Sequence, residues 1–164
     1  MSITTRIFGT DDVRRAADTL GLDEIMDQMI ERLHHAFEHY DPTQIEVPAR
    51  SGFHYESPKV GLIEWMPVMA RGEHALMKLV CYHPANPVQS GLPTILSSFA
   101  LIDTETGHMI AISDGTFLTA LRTGAASAVA TRTLASSGSG TVGMIGCGAQ
   151  AITQLHAISR VYPI

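Results

Sequence analysis

The stretch Ile145-Gly146-Cys147-Gly148-Ala149-Gln150-Ala151 has the residue types and spacing to hold a pyrophosphate. It is a G-x-G-x-x-A match between an apolar run, Thr141–Ile145, and a helical run from Ala149 to about Arg160. The apolar run reads as a short buried parallel strand. Gly146 would make the tight turn, and Gly148 would let the backbone approach the phosphates. Ala151, in the third glycine's place, would let the helix lie close on the strand. Amides at the helix N-terminus would then face the phosphates, with the helix dipole adding to the attraction. An ordinary tight strand-to-helix turn uses glycine for the same backbone reasons, so the motif alone leaves both readings open.

Four charged residues stand out next. Arg50 follows Val47-Pro48-Ala49 within an expected strand. Glu64 lies in Gly61-Leu62-Ile63-Glu64-Trp65-Met66-Pro67, Lys78 in Leu76-Met77-Lys78-Leu79-Val80, and Arg122 in Ala120-Leu121-Arg122-Thr123-Gly124. The last three have apolar or small neighbours, where an unpaired charge is costly. An anionic ligand in a cleft would explain the set, and arginine suits a carboxylate through bidentate hydrogen bonds. Each also has a plain reading. Arg50 or Lys78 can be an exposed strand residue, Glu64 and Lys78 a cross-strand pair, and Arg122 a cover for apolar surface. His35 and His39, four apart on a helix, could share a metal or simply be solvated. No third ligand is signalled nearby, and no metal site is expected.

The elements that must position these residues follow from the patterning. Ile3–Phe8 can form a short strand, and Thr10-Asp11-Asp12 starts a helix. Leu22, Ile25, Met26, Met29, Ile30, Leu33 and Phe37 recur at helical spacing, which predicts an amphipathic helix over 23–39. Asp41-Pro42 breaks it. Strands are expected near Glu46–Tyr55, Val60–Pro67, Ala75–Cys81, Thr94–Asp103 and His108–Ser113, with Asp103–Gly107 as a hairpin loop. The sheet is therefore largely antiparallel, with one helix packed on it. Asp114 or Thr116 would cap a helix from Phe117 to about Ala135, rich in Gly and Ala so that other backbone can come close. Gly138-Ser139-Gly140 would link it flexibly to the glycine-motif strand.

Composition bounds the rest. A hydrophobic fraction of 45% suits a buried globular core. The net charge of −5 argues against nucleic acid as a partner. No run approaches the length of a membrane span, and the first residues lack the apolar core of a signal peptide. Cys81 and Cys147 are far apart, which speaks against a disulfide scaffold or zinc ribbon. A cytoplasmic α/β protein is expected.

Four motifs together resemble one family: Gly61–Pro67 (GLIEWMP), Lys78 with His83-Pro84-Ala85-Asn86-Pro87, Thr119–Ala125 (TALRTGA) and Ile145–Gln150 (IGCGAQ). In order and spacing they are similar to the N-terminal half of the ornithine cyclodeaminase/μ-crystallin family. The resemblance implies an α/β chain. Its N-terminal α+β substrate and dimerisation domain (1–116) has a largely antiparallel sheet. A connecting helix and linker (117–140) follow, then the first β-α of a truncated Rossmann-like domain (141–164). It implies NAD(H) or NADP(H) as cofactor, a small amino or imino acid as substrate, hydride exchange at Cα–N, and a homodimer formed through the N-terminal domain. Family activities include cyclodeaminases, alanine dehydrogenases and ketimine reductases. By the same resemblance Arg50, Lys78 and Arg122 grip the substrate carboxylate. Lys78 and Glu64 are the catalytic pair, Lys78 acting on the amine or imine and Glu64 lying near the amine. Thr123, Gly146, Gly148, Ala149 and Gln150 contact the cofactor.

The acidic residue that holds the ribose should come about 20 residues after the glycines, and that count passes Ile164. The 164 residues alone are therefore expected to be inactive. Either a second polypeptide completes the nucleotide domain, or the chain is a gene remnant, a fragment, or a non-catalytic dimerisation or binding module.

Overall fold

In the computed structural model, residues 4–136 and 140–164 are described. The expectations for Met1–Ile3 and for the Gly138-Ser139 link fall outside them. The chain forms two units, Met1–Val13 with Asp41–Thr116, and Arg14–Tyr40 with Phe117–Ile164. The expected 23–39 helix is counted with the second unit rather than with the sheet.

Alternating apolar residues build the first unit's sheet. Its strands are β1 (Arg6–Phe8), β2 (Ile45–Glu46), β3 (Ser51–Tyr55), β4 (Gly61–Ala70), β5 (His74–Tyr82), β6 (Ile95–Asp103) and β7 (Met109–Asp114). The order is β1-β7-β6-β5-β4-β2, with β3 also on β4. Every pairing is antiparallel except β1 with β7, so the fold class is as expected. Asp103 closes the β6–β7 hairpin by accepting hydrogen bonds from the amides of Glu105 and Thr106. Gly107 supplies the left-handed residue, with φ of 71°.

The single strand expected over Glu46–Tyr55 is two short ones. Glu46 lies opposite Met69 and Ser51 opposite Trp65, so the edge carries one more residue than β4 between these points. Pro48 on the edge and Pro67 on β4 have no amide hydrogen for the ladder, and the pairing breaks between them. Arg50 thus sits in the gap before β3, not within a strand. A bulge of this kind re-aims side chains.

The second unit is helical. The helix α1 (Thr10–Leu20) runs into it, and α2 (Leu22–Glu38) follows after Gly21, whose φ of 85° breaks the helix. A short turn of helix, α3 (Asn86–Gln89), belongs to the first unit. Then come α4 (Thr116–Leu134) and α5 (Ala149–Val161). Asp114 accepts a hydrogen bond from the Thr116 amide at 2.7 Å, as expected of the residue that starts α4. The core of this unit joins Met26 and Ile30 of α2, Leu121, Ala125, Ala128 and Val129 of α4, and Ala157 of α5.

Small residues on α4 do bring other backbone close. A Cβ at Gly124 would lie 2.4 Å from the Thr153 carbonyl oxygen. Gly124→Ala sets two effects against each other. Helix propensity favours alanine by about 1 kcal/mol. The clash is with backbone, which no rotamer change relieves, and overpacking costs about 1–3 kcal/mol. The expected result is net destabilisation, read as a lower urea midpoint with an unchanged slope.

Charge pairs flank this core. Arg160 donates to Asp27 at 2.8 and 2.6 Å and to Asp23 at 3.0 Å, and Arg132 pairs with Glu31 at 2.5 Å. The hydrogen bonds from Arg160 hold the Asp27 carboxyl below its usual value of 3.8, against a smaller opposing effect of burial. The bonded form is the carboxylate, so this stabilisation is complete above the unfolded value. It is lost as pH falls through the lowered folded value. Asp27→Asn is therefore expected to flatten the acid limb of stability below about pH 4, measured as thermal midpoint against pH.

The strand expected at Thr141–Ile145 does not form. These residues run without strand pairing among the described residues, and Ile145 is exposed. A parallel strand has no hydrogen bonds of its own and needs neighbours to pair with. The helix expected after the glycines is present.

Candidate functional site

The sheet register sets Glu64 and Lys78 on one face. Glu64 lies opposite Val80 of β5, so Lys78, two residues earlier, shares its face one position along. Lys78 is opposite Phe99 of β6 and is 7% exposed, a buried cation in the middle of the sheet. Arg50 reaches the same face from the β2–β3 gap, its guanidinium 3.7 Å from the Glu64 carboxylate.

Gly52 makes room for this contact. It lies directly opposite Glu64, and a Cβ there would fall 2.2 Å from the Ile63 carbonyl oxygen and 3.0 Å from the Glu64 Cγ. Sequence reasoning missed Gly52, although a glycine inside an otherwise alternating strand signals a close approach. At the far end of β3 the Tyr55 hydroxyl meets His83 Nε2 at 2.6 Å. The Tyr55 ring lies over Gly61, where a Cβ would be 2.6 Å from it. This clasp ties together β3, which Arg50 precedes, β4, which carries Glu64, and the exit of β5, which carries Lys78. Phe53 edge-on to Trp65, with centroids 5.2 Å apart, fastens the middle of β3.

The remaining expected residues belong to the second unit. Arg122 is exposed on α4. The hydroxyl of Thr123 donates to the Thr119 carbonyl at 2.7 Å. Gly146 has φ of 96°, a conformation that favours glycine, and Gly148 is the N-cap of α5 with no side-chain cap. Ala149 and Gln150 open that helix. An added Cβ at Gly146 or Gly148 would meet nothing within 4 Å, so the loop's backbone is open to an approaching group. The Gln150 Oε1 is buried with no hydrogen-bond partner among the described residues. Uncapped amides and open glycine backbone fit the phosphates of a dinucleotide.

His35 and His39 are exposed, with ring centroids 4.1 Å apart, and His39 Nδ1 lies 2.9 Å from the His35 carbonyl. No group of three or more metal-ligating side chains occurs among the described residues. No helix there is long and apolar enough to cross a membrane.

Residues 10–164 match the ornithine cyclodeaminase/mu-crystallin family. The chain belongs to this family. It is 42% identical to an L-lysine cyclodeaminase of Streptomyces rapamycinicus over 98% of this chain and 47% of that protein. It also resembles the structure of a lysine cyclodeaminase determined for its recognition of L-lysine, L-ornithine and L-2,4-diaminobutyric acid. The TM-score is 0.90 at 47% identity, over 96% of this chain and 46% of that one. An archaeal alanine dehydrogenase dimer with bound NAD superimposes with a TM-score of 0.78 at 33% identity, again over 96% and 46%. The chain thus spans about half the length of the relatives it matches.

Proposed function

We propose that the chain supplies the substrate-binding sheet and the opening of the nucleotide-binding domain of an NAD(H)- or NADP(H)-dependent enzyme. Its reaction is hydride exchange at the Cα–N bond of an amino or imino acid. The observation that carries this is the Arg50–Glu64 ion pair on the same sheet face as buried Lys78. A cation and a carboxylate together match the two charges of an amino acid. Similarity to lysine cyclodeaminases supports a diamino acid such as lysine or ornithine as the substrate in this reading.

In this reading Arg50 and Lys78 fix the substrate carboxylate, which orients Cα. The resemblance adds Arg122 to that grip and Thr123 to the cofactor contacts. Glu64 receives the α-amino group. Lys78, as a cation near that nitrogen, favours its neutral form, which must be reached before hydride leaves. The glycine loop, with Ala149 and Gln150, would hold the cofactor phosphates, and the bound nicotinamide supplies the hydride acceptor or donor.

We assign residues 1–116 to the substrate and dimerisation domain, 117–140 to the connection and 141–164 to the start of the nucleotide domain. The sheet face opposite Lys78 favours a homodimer. Ile7, Phe53, Met77, Leu79 and Ile112 are exposed there, and an apolar patch of this kind marks an association surface. Exposed Ile152, Leu155 and Ile164 fit a covering layer from the rest of the nucleotide domain, in the same polypeptide or a second one. A cytoplasmic location is part of the proposal.

The test is turnover by the protein as its source makes it. Ammonia release from L-ornithine or L-lysine with NAD would mark a cyclodeaminase, and oxidation of NADH or NADPH by a cyclic imine would mark a reductase. Absence of both, with cofactor binding also absent, would overturn the enzyme reading in favour of the binding module.

A further inference from the structure

Phe99 stands between two neighbours on the face that carries Lys78. It lies directly opposite Lys78 of β5 on one side and Ser113 of β7 on the other. Residues paired in this way share a face, with Cβ atoms about 4.5–5.5 Å apart. The Phe99 ring lies against Gly115, the residue just past the end of β7. A Cβ on that glycine would be 2.6 and 2.8 Å from two ring carbons and 2.9 Å from Ser97 Oγ. Gly115 is buried, and its φ lies outside the left-handed region, so backbone conformation does not call for glycine there. The turn is also pinned. The Gly115 amide donates to the Ser97 carbonyl at 2.8 Å, and the Ser97 amide donates to the Thr116 hydroxyl oxygen at 3.1 Å. A side chain at 115 would therefore move the ring rather than the backbone. Side chains occupy discrete rotamers, so the displacement is a jump and not a small slide. With the β7 side taken, the ring's remaining room is across the face toward Lys78.

We infer that Gly115 is a positioning residue. By carrying no side chain it leaves the Phe99 ring a place beside β7, and so keeps the ring off the part of the face where Lys78 meets its ligand. The inference rests on the proposed assignment of this face as the substrate site. Gly115 touches no reacting group itself and acts only through Phe99.

The experiment is a double-mutant cycle read by steady-state kinetics of the protein as its source makes it, with the amino or imino acid that it turns over. Gly115→Ala is expected to raise KM by about tenfold while kcat changes by less than about threefold, because the ring obstructs the ligand and not the hydride step. Phe99→Leu removes the ring. Made in that background, Gly115→Ala is expected to raise KM by less than about threefold. The double variant has no ring to displace, so it decides the matter even where Gly115→Ala alone is poorly folded. There the expected result is a recovered thermal midpoint with an unraised KM. An equal rise of KM in both backgrounds, or a loss confined to kcat, would overturn the inference and leave the substrate site standing. Absence of both turnover and amino-acid binding in the wild-type protein would overturn both.

Discussion

Lys78→Met is expected to lower kcat/KM by about 10²–10⁴-fold, the range for losing a group that moves a proton in the transition state. The fold should survive. Lys78 is 7% exposed in the middle of a five-strand run of antiparallel pairing. Methionine has a similar length and fills irregular space without a charge to satisfy. A thermal midpoint at or near the wild-type value, together with collapsed turnover, is the expected combination. A variant that stays folded and active would remove Lys78 from the chemistry.

Arg50→Ala should act on binding more than on stability. Its side chain is two-thirds exposed at a break in the sheet edge, so little packing is lost, and the structural cost is that of the Glu64 carboxylate losing this cation. A hydrogen bond to a charged group contributes about 1.5–3 kcal/mol. KM for the amino acid is therefore expected to rise by roughly 10- to 100-fold, with a smaller change in kcat. Arg50→Lys keeps the charge but loses the bidentate fork, and its KM should fall between the two. Steady-state kinetics over a range of substrate concentration separates these outcomes. A drop in kcat at constant KM would contradict a role in holding the ground-state carboxylate.

Most of the sheet was legible because half-buried antiparallel strands alternate. Ala75–Cys81 and His108–Ser113 lie within a residue or two of the strands that form. The amphipathic stripe from Leu22 to Phe37 likewise marked α2. Two readings failed for a common reason, that a strand depends on its neighbour. Glu46–Tyr55 read as continuous, and Pro67 on another strand helped decide where it breaks. Thr141–Ile145 had a strand's composition and no pairing partner among the described residues.

The charged residues of the site were visible as charges out of place. Their pairing was not, because partner choice follows register. A cross-strand pair of Glu64 with Lys78 was one reading of the sequence, whereas the contact of Arg50 with Glu64 was not anticipated. Gly52 escaped notice because a glycine in a strand matters only through the residue facing it, which sequence order does not give.

The most direct measurement of the central claim is isotope transfer. The protein as its source makes it would be incubated with Cα-deuterated L-lysine, L-ornithine or L-alanine and oxidised cofactor, and the nicotinamide examined by mass spectrometry. Deuterium on the nicotinamide with one of these amino acids, lost in Lys78→Met, is the expected result. A bound cofactor that stays unlabelled with all three, and is not consumed by their cyclic or open imines when reduced, would contradict it.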